Sequence, residues 1–315
     1  MLNLEFVSVE FSTAVGAVRP VDGVSLTVMP GERHVIVGET GSGKSVLLMG
    51  ILGLSGGRVT GSIRWNGQEL LGLTPQAWNQ IRGREIAYIP QGNASGLNPL
   101  MRIGDQIAEP LRIHLGMGQK AAAERAVSAL GRLDFARPEI WVSRYPHQLS
   151  GGMKQRALVA MGTGAGGQLL LADEPTKGLD PERRDDVRDL FADLSRAGGP
   201  ALLCVTHDLR FARDIATHIH VLYAGQLLES GPAAAFFSGP LHPYARMMLE
   251  ALPEHGFRYP RGFAPSHEDY GRLGCRFAGR CPLARDVCRQ KVPAMTAVGE
   301  RRVRCHDTAA DRASD

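Results

Sequence analysis

The 315-residue sequence predicts an α/β protein built on a parallel sheet, and three observations carry that expectation. The stretch HVIVG, residues 34–38, is a short apolar run that fits a strand buried on both faces; it passes through a glycine-rich turn into SVLLMGILGL, which has helical periodicity. Two further buried-strand runs, LLLADEP at 169–175 and ALLCVTHD at 201–208, flank the polar helix PERRDDVRDLFADLSRA. A strand–helix–strand unit of this kind closes as a parallel pair through a crossover.

Ahead of this core, LEFVSVEF alternates apolar and polar residues, and VDGVSLTVMPGE reads as a second strand closed by Pro30-Gly31, so the N-terminus should form an antiparallel subdomain. GSIRWNGQEL adds a hairpin with Asn66-Gly67 as a type I′ turn. Residues 75–148 read as mostly helical, broken at Pro99, Pro110 and Pro138, and are expected to form a helical subdomain inserted into the core at about 92–160. HIHVLYAGQLLES returns to hairpin character. Near residue 237 the texture changes to scattered Pro, Gly, Arg and Cys, so 1–236 is read as the main domain and 237–315 as a small C-terminal extension.

A net charge of +4 is too small to argue for a nucleic-acid partner. The N-terminal segment lacks a basic region followed by a long apolar one, and no stretch approaches ~18 uninterrupted apolar residues, so neither a signal peptide nor a membrane span is read. A cytoplasmic, reducing location is expected. In that setting the cysteines at 275, 281, 288 and 305 point to metal rather than disulfide, while Cys204, in ALLCVTH, reads as a buried small hydrophobe.

The turn GETGSGKS has the pattern G-x-x-x-x-G-K-S over Gly38, Glu39, Thr40, Gly41, Ser42, Gly43, Lys44 and Ser45. Glycines let backbone N–H groups converge on phosphate oxygens, Lys44 places a compact positive charge between terminal phosphates, and the Ser45 hydroxyl can ligate Mg²⁺. The helix that follows adds its positive N-terminal end. A phosphate loop needs a second acid for Mg²⁺, and the end of LLLADEP supplies Asp173, with Glu174 placed to polarise the attacking water. In LSGGMKQR, Ser150 is a candidate N-cap, and Gly151 and Gly152 expose backbone donors at the start of a helix.

The ordered set GETGSGKS, IPQ, LSGGMKQR, LLLADEP, GLD and VTHD resembles the ATP-binding subunit of ABC transporters over residues 1–236. That resemblance implies a P-loop NTPase core that hydrolyses ATP with Mg²⁺. It makes Gly38 to Ser45 the Walker A loop, Asp173 the Walker B Mg²⁺ ligand and Glu174 the general base. It also makes Gln91 the Q-loop residue that touches Mg²⁺ and water, His207 the switch histidine and Asp180 the D-loop aspartate. Ser150, Gly151 and Gly152 would act on the nucleotide of a second ATPase subunit, most simply a sister chain. The resemblance leaves the adenine-stacking residue open: Phe11 is the nearest aromatic and reads as a core strand residue, while spacing favours a position near Val15.

The tail SGPLHPYARMMLEALP followed by CRFAGRCPLARDVCRQKVPAM and RRVRCH resembles the C-terminal extension of the dipeptide, oligopeptide and nickel importer subfamily. By resemblance, the partners are integral membrane permease subunits and, indirectly, an extracytoplasmic binding protein, with this chain peripheral on the cytoplasmic face of the inner membrane. Peptide is the first expectation for cargo and nickel or a metal chelate the second; a soluble ATPase acting on nucleic acid or ribosomes and a metal-sensing regulator are rival classes. The spacing Cys275-x5-Cys281-x6-Cys288-x16-Cys305 lacks the tight C-x2-4-C pair common in zinc sites. Some subfamily members carry a 4Fe–4S cluster on such cysteines, which favours that cofactor over zinc or unliganded thiols. Gly92 after the Q-loop glutamine and Lys177-Gly178 within ADEPTKGLD depart from the family's habit without removing a catalytic group.

Overall fold

The first strand already departs from simple alternation. In β1 (Leu2–Thr13) the inward residues are Leu2 and Leu4, then Val7 and Val9, because the register against its partner shifts between Glu5 and Ser8. Phe6, at φ +50°, is the bulged residue, and its ring is turned out to 76% exposure. One extra residue flips every later side chain to the other face, so the bulge keeps the valines in the core.

The computed structural model describes residues 1–14, 16–91, 96–179, 181–194, 199–257, 262–266, 270–271 and 273–307. They form two compact units, one of Met1–Thr27, His34–Leu71 and His207–Asp315, the other of Val28–Arg33 and Gly72–Thr206.

In the first unit, β1, β2 (Gly16–Val28), β4 (Arg58–Trp65) and β5 (Gln68–Glu69) make a four-stranded sheet in the order β2-β1-β4-β5. The turn between β4 and β5 has Asn66 at φ +49° and Gly67 at φ +84°, the two positive angles of the expected type I′ hairpin. The unit's second ladder starts at β3 (Arg33–Val37), which leads to α1 (Lys44–Ile51) and pairs in parallel with β9 (His218–Tyr223). β9 turns at Ala224-Gly225 into antiparallel β10 (Gln226–Pro232). The C-terminal hairpin β11 (Met295–Val298) and β12 (Arg301–Arg304) docks its second strand on β10 through Glu229↔Val303 and Ser230↔Arg302. The extension is thus joined to the unit by backbone pairing. α9 (Ala233–Ser238) leads into it, and it carries α10 (Pro243–Glu250) and α11 (Asp286–Gln290).

The second unit holds a parallel ladder of β6 (Ile86–Ile89), β7 (Leu169–Asp173) and β8 (Ala201–Thr206). Every residue of β7 and β8 is buried, as their unbroken apolar sequences require, and Cys204 lies among them as a buried small side chain. The helices are α2 (Pro75–Ile81), α3 (Ile103–Leu115), α4 (Gln119–Gly131), α5 (Pro138–Trp141), α6 (Gly151–Thr163) and α7 (Pro181–Leu194).

Two expectations fail here. The segment 75–148 contains a strand, β6, whose four-residue run IAYI is too short for periodicity to separate it from a helix. Pro110 does not break its helix either: α3 runs through it to a left-handed Gly116. An interior proline removes one backbone bond, at a cost of about 3 kcal/mol. The stripe Ile103, Ile107 and Leu111 is completely buried, which offsets that loss. Among the described residues no helix is long and apolar enough to cross a membrane.

Candidate functional site

The turn from β3 to α1 is built so that its own side chains and carbonyls leave backbone donors open. Gly43, at φ +101°, caps α1, and a Cβ there would stand 2.0 Å from the Pro20 carbonyl oxygen. A Cβ on Gly38 would stand 2.2 Å from the Leu222 carbonyl. Both positions therefore require glycine. Lys44 is buried and folds its Nζ back to donate to the carbonyls of Gly38 at 2.7 Å and Glu39 at 3.0 Å. The Ser42 amide also donates to Glu39, and the Gly225 amide donates to the Ser42 carbonyl.

What remains unpaired defines the site. Among the described residues the N–H groups of Thr40, Gly41 and Gly43 have no protein acceptor. The buried Ser42 Oγ also lacks a partner. Buried or converging polar groups are normally satisfied, so this set calls for an anion. The loop fits a nucleotide phosphate on that ground. Ser45 lies half-buried in the first turn of α1.

In the second unit, Asp173 closes β7 and Glu174 follows at φ +47°, an unusual backbone angle for a residue with a Cβ. Its amide stays on the sheet by donating to Val205, and its carboxylate accepts from the Thr206 hydroxyl at 3.3 Å. The Tyr88 hydroxyl reaches Asp173 Oδ2 at 3.4 Å. Both acids are buried, which makes them costly unless paired with protons, donors or cations. Burial, and then the Asp173 charge, push the Tyr88 phenol well above its ordinary range; burial, then Glu174 and Asp173, do the same to the Cys204 thiol. Tyr88 and Thr206 were not anticipated. The first sits on the strand hidden inside the helix-like segment; the second directly precedes His207 in VTHD, a position that could have flagged it.

Ser150 is the N-cap of α6, its hydroxyl accepting from the Met153 amide at 3.3 Å, and Gly151 and Gly152 form the first helical turn. Gln91, just after β6, and His207, just after β8, are both exposed. Asp208 caps α8 (Leu209–Ile215), accepting from the amides of Arg210 and Phe211. Asp180 and Val15 lie outside the described residues, and Phe11 is half-buried on β1 with its ring against Gly57.

The C-terminal extension gathers Cys275, Cys281, Cys288 and Cys305 around one small pocket, together with Phe277 and His242. Burial first, and then the other three cysteines, push the Cys275 thiol up to about 11. Cys281 and Cys305 are raised by burial and by their sulfur neighbours as well. Three of the sulfurs accept a backbone N–H from two residues on: Phe277 for Cys275, Leu283 for Cys281 and Asp307 for Cys305. Such donors favour a thiolate over a thiol and are typical of metal-bound sulfur. Among the described residues no three of these sulfurs lie within 4.8 Å of one another. Four thiolates on a single zinc ion at ~2.3 Å would stand about 3.8 Å apart.

The comparisons with known proteins bear on both parts of the chain. The ABC transporter family matches residues 21–177, and the oligopeptide/dipeptide transporter C-terminal region matches residues 228–288. The dipeptide transport ATP-binding protein DppD of Escherichia coli (strain K12) is 38% identical over 315 residues, covering 97% of this chain and 96% of the relative. The oligopeptide transport ATP-binding protein AppD of Bacillus subtilis (strain 168) is 38% identical over 295 residues, 90% of each chain. A solved dimeric structure of the ATP-binding cassette MJ0796, in a post-hydrolysis state bound to ADP and Pi, superposes with a TM-score of 0.66 at 26% identity, over 74% of this chain and 99% of that one. With an unpaired phosphate cradle, two buried strand-end acids, a capped Ser-Gly-Gly turn and relatives matched almost end to end, the chain belongs to the ABC transporter family as an ATP-binding subunit with the oligopeptide/dipeptide-type C-terminal region.

Proposed function

We propose that the chain is the ATP-hydrolysing subunit of a peptide importer, working at the cytoplasmic face of the membrane beside permease subunits and a second ATPase subunit. The observation that carries the ATP reading is the phosphate loop, where three backbone amides and a buried hydroxyl lack protein partners. Peptide as cargo draws on the likeness to DppD and AppD. Residues 1–236 are read as the ATP-binding domain and 237–315 as the extension.

In this reading the amides of the loop and Lys44 bind the β- and γ-phosphates, and Lys44 gives up its bonds to the carbonyls of Gly38 and Glu39 to do so. Ser45, Asp173 and Gln91 hold Mg²⁺, which, when bound, offsets the phosphate charge. Glu174 takes the proton of the attacking water, its backbone fixed by the bond to Val205 and its carboxylate by Thr206. His207 serves the γ-phosphate. Ser150, Gly151 and Gly152 complete the partner's nucleotide site, and Asp180 is read as the D-loop aspartate. Positioning and charge neutralisation supply most of the catalytic power.

We read Cys275, Cys281, Cys288 and Cys305 as the ligands of an iron–sulfur cluster, supported by the N–H donors to three sulfurs and by the gathering of all four cysteines around one pocket. When bound, such a cluster takes or gives single electrons; the chain's part is to supply four thiolates and shield them.

Uptake in cells lacking the chain tests the assignment. Labelled dipeptide or oligopeptide uptake should fall when the chain is absent, return with the wild type and fail to return with Glu174→Gln. Unchanged peptide uptake with lost nickel uptake would contradict the cargo; unchanged uptake of both would contradict transport.

A further inference from the structure

The segment between the first two clustered cysteines, CRFAGRC, reaches back to the phosphate loop. Arg280, with its side chain only 7% exposed, donates both Nη atoms to the Glu39 carboxylate at 2.9 Å each. The Tyr270 hydroxyl donates to the Gly41 carbonyl at 3.2 Å, and the Glu39 amide donates to the Tyr244 hydroxyl at 3.2 Å. Three residues of the extension therefore hold residues 39 and 41, on either side of Thr40.

These anchors are themselves fixed. Phe277 is buried against Tyr223 and Tyr244, with ring centroids 5.4 Å apart in both pairs. Arg276 bonds Asp22 at 2.6 Å and the Ala224 carbonyl, and its guanidinium lies 5.0 Å from the Tyr270 ring centroid. An exposed ion pair would do little, but a mostly buried, two-pronged pair inside such a network fixes both position and orientation. The extension also engages only groups that an anion does not need. It takes the Glu39 carboxylate, the Glu39 amide and the Gly41 carbonyl, and leaves the amides of Thr40, Gly41 and Gly43 open.

We propose that Arg280 and Tyr270 are positioning residues of the nucleotide site, holding the Glu39–Gly41 segment of the phosphate loop in its anion-accepting form. The proposal rests on the reading of residues 38–45 as the ATP cradle. Cys275 and Cys281 bracket the segment that carries Arg280.

The test is titration of the full-length chain with a fluorescent ADP analogue and Mg²⁺, using Arg280→Gln, Glu39→Gln, the double variant, Arg280→Lys and Lys44→Ala, with melting curves for each. Arg280→Gln should weaken binding about tenfold, and Glu39→Gln should do the same. The double variant should lose no more than either single one, because both remove one interaction. Arg280→Lys should recover part of the affinity, and the melting temperatures should not track the affinities. Wild-type affinity in Arg280→Gln, or losses that add fully in the double variant, would overturn the proposal while Lys44→Ala still loses binding. Wild-type affinity in Lys44→Ala as well would sink the underlying reading. If Arg280→Gln does not fold, Tyr270→Phe decides: about threefold weaker binding supports the proposal and unchanged binding overturns it.

Discussion

In the phosphate loop the backbone supplies the donors, whereas in the thiol pocket of the same unit four side chains do. The loop's geometry is enforced by sterics: Gly38 and Gly43 have carbonyl oxygens where a Cβ would go, and the open amides exist whether or not a ligand is present. The pocket is the reverse case. Cys275, Cys281 and Cys305 are pushed up by burial and by neighbouring sulfurs, which favours their neutral thiol form over the thiolate. A backbone site is preformed and selects by shape; a thiol site becomes charged only as its ligand arrives and releases protons.

Breaking the preformed site should have the largest effect. Gly43→Ala places a methyl group 2.0 Å from the Pro20 oxygen at a backbone angle that alanine avoids. Nucleotide binding should fall by a hundredfold or more, since a strain of about 3 kcal/mol is on that scale; titration with labelled nucleotide checks this. Glu174→Gln should come next, with turnover of the assembled transporter down about a hundredfold and ATP still bound, if the proposed proton acceptor alone is removed. Near wild-type turnover would show that another group accepts the proton.

The thiol pocket sharpens the comparison at a smaller scale. Cys281→Ser should abolish iron content and visible charge-transfer absorbance in anaerobically purified protein. Nucleotide affinity should fall by less than in Arg280→Gln, since the backbone cradle persists. A colourless, iron-free wild type would remove the cluster assignment and leave the cradle untouched.

The smallest effect concerns a buried histidine in the core of the same unit. His220 is fully buried, shares a 2.8 Å contact with His34 and bonds Ser230; burial, then the charges of His34 and His218, hold its pKa well below the usual range. A group depressed in the folded state contributes stability that is present above about pH 6.5 and is lost as the pH falls. Melting temperature should therefore drop between pH 6.5 and 5.5, by the equivalent of about 1 kcal/mol, and the drop should shrink in His220→Gln.

Much of this was legible in the sequence, for reasons specific to each element. HVIVGETGSGKS names both its strand and its loop, because glycine spacing and a buried apolar run each leave one physical solution. LLLADEP and the Ser150 cap were equally readable. The strand β6 was not, since four apolar residues carry no period, and Tyr88 went unnoticed with it. Pro110 misled because burial of its helix outweighs one missing bond. The shift at Phe6 was invisible because a bulge is fixed by the partner strand rather than by the bulged one. Arg280, Tyr270 and Tyr244 could not be found by motif at all: their link to Glu39 and Gly41 spans more than 200 positions and exists only through the docking of the extension.

The account stands on the cradle at residues 38–45 holding a triphosphate, and Lys44 is the side chain whose removal questions that most directly. Titration of full-length Lys44→Ala with Mg²⁺ and ATP should show affinity reduced about tenfold or more, as loss of a charged donor to phosphate demands. Affinity equal to the wild type would contradict the account.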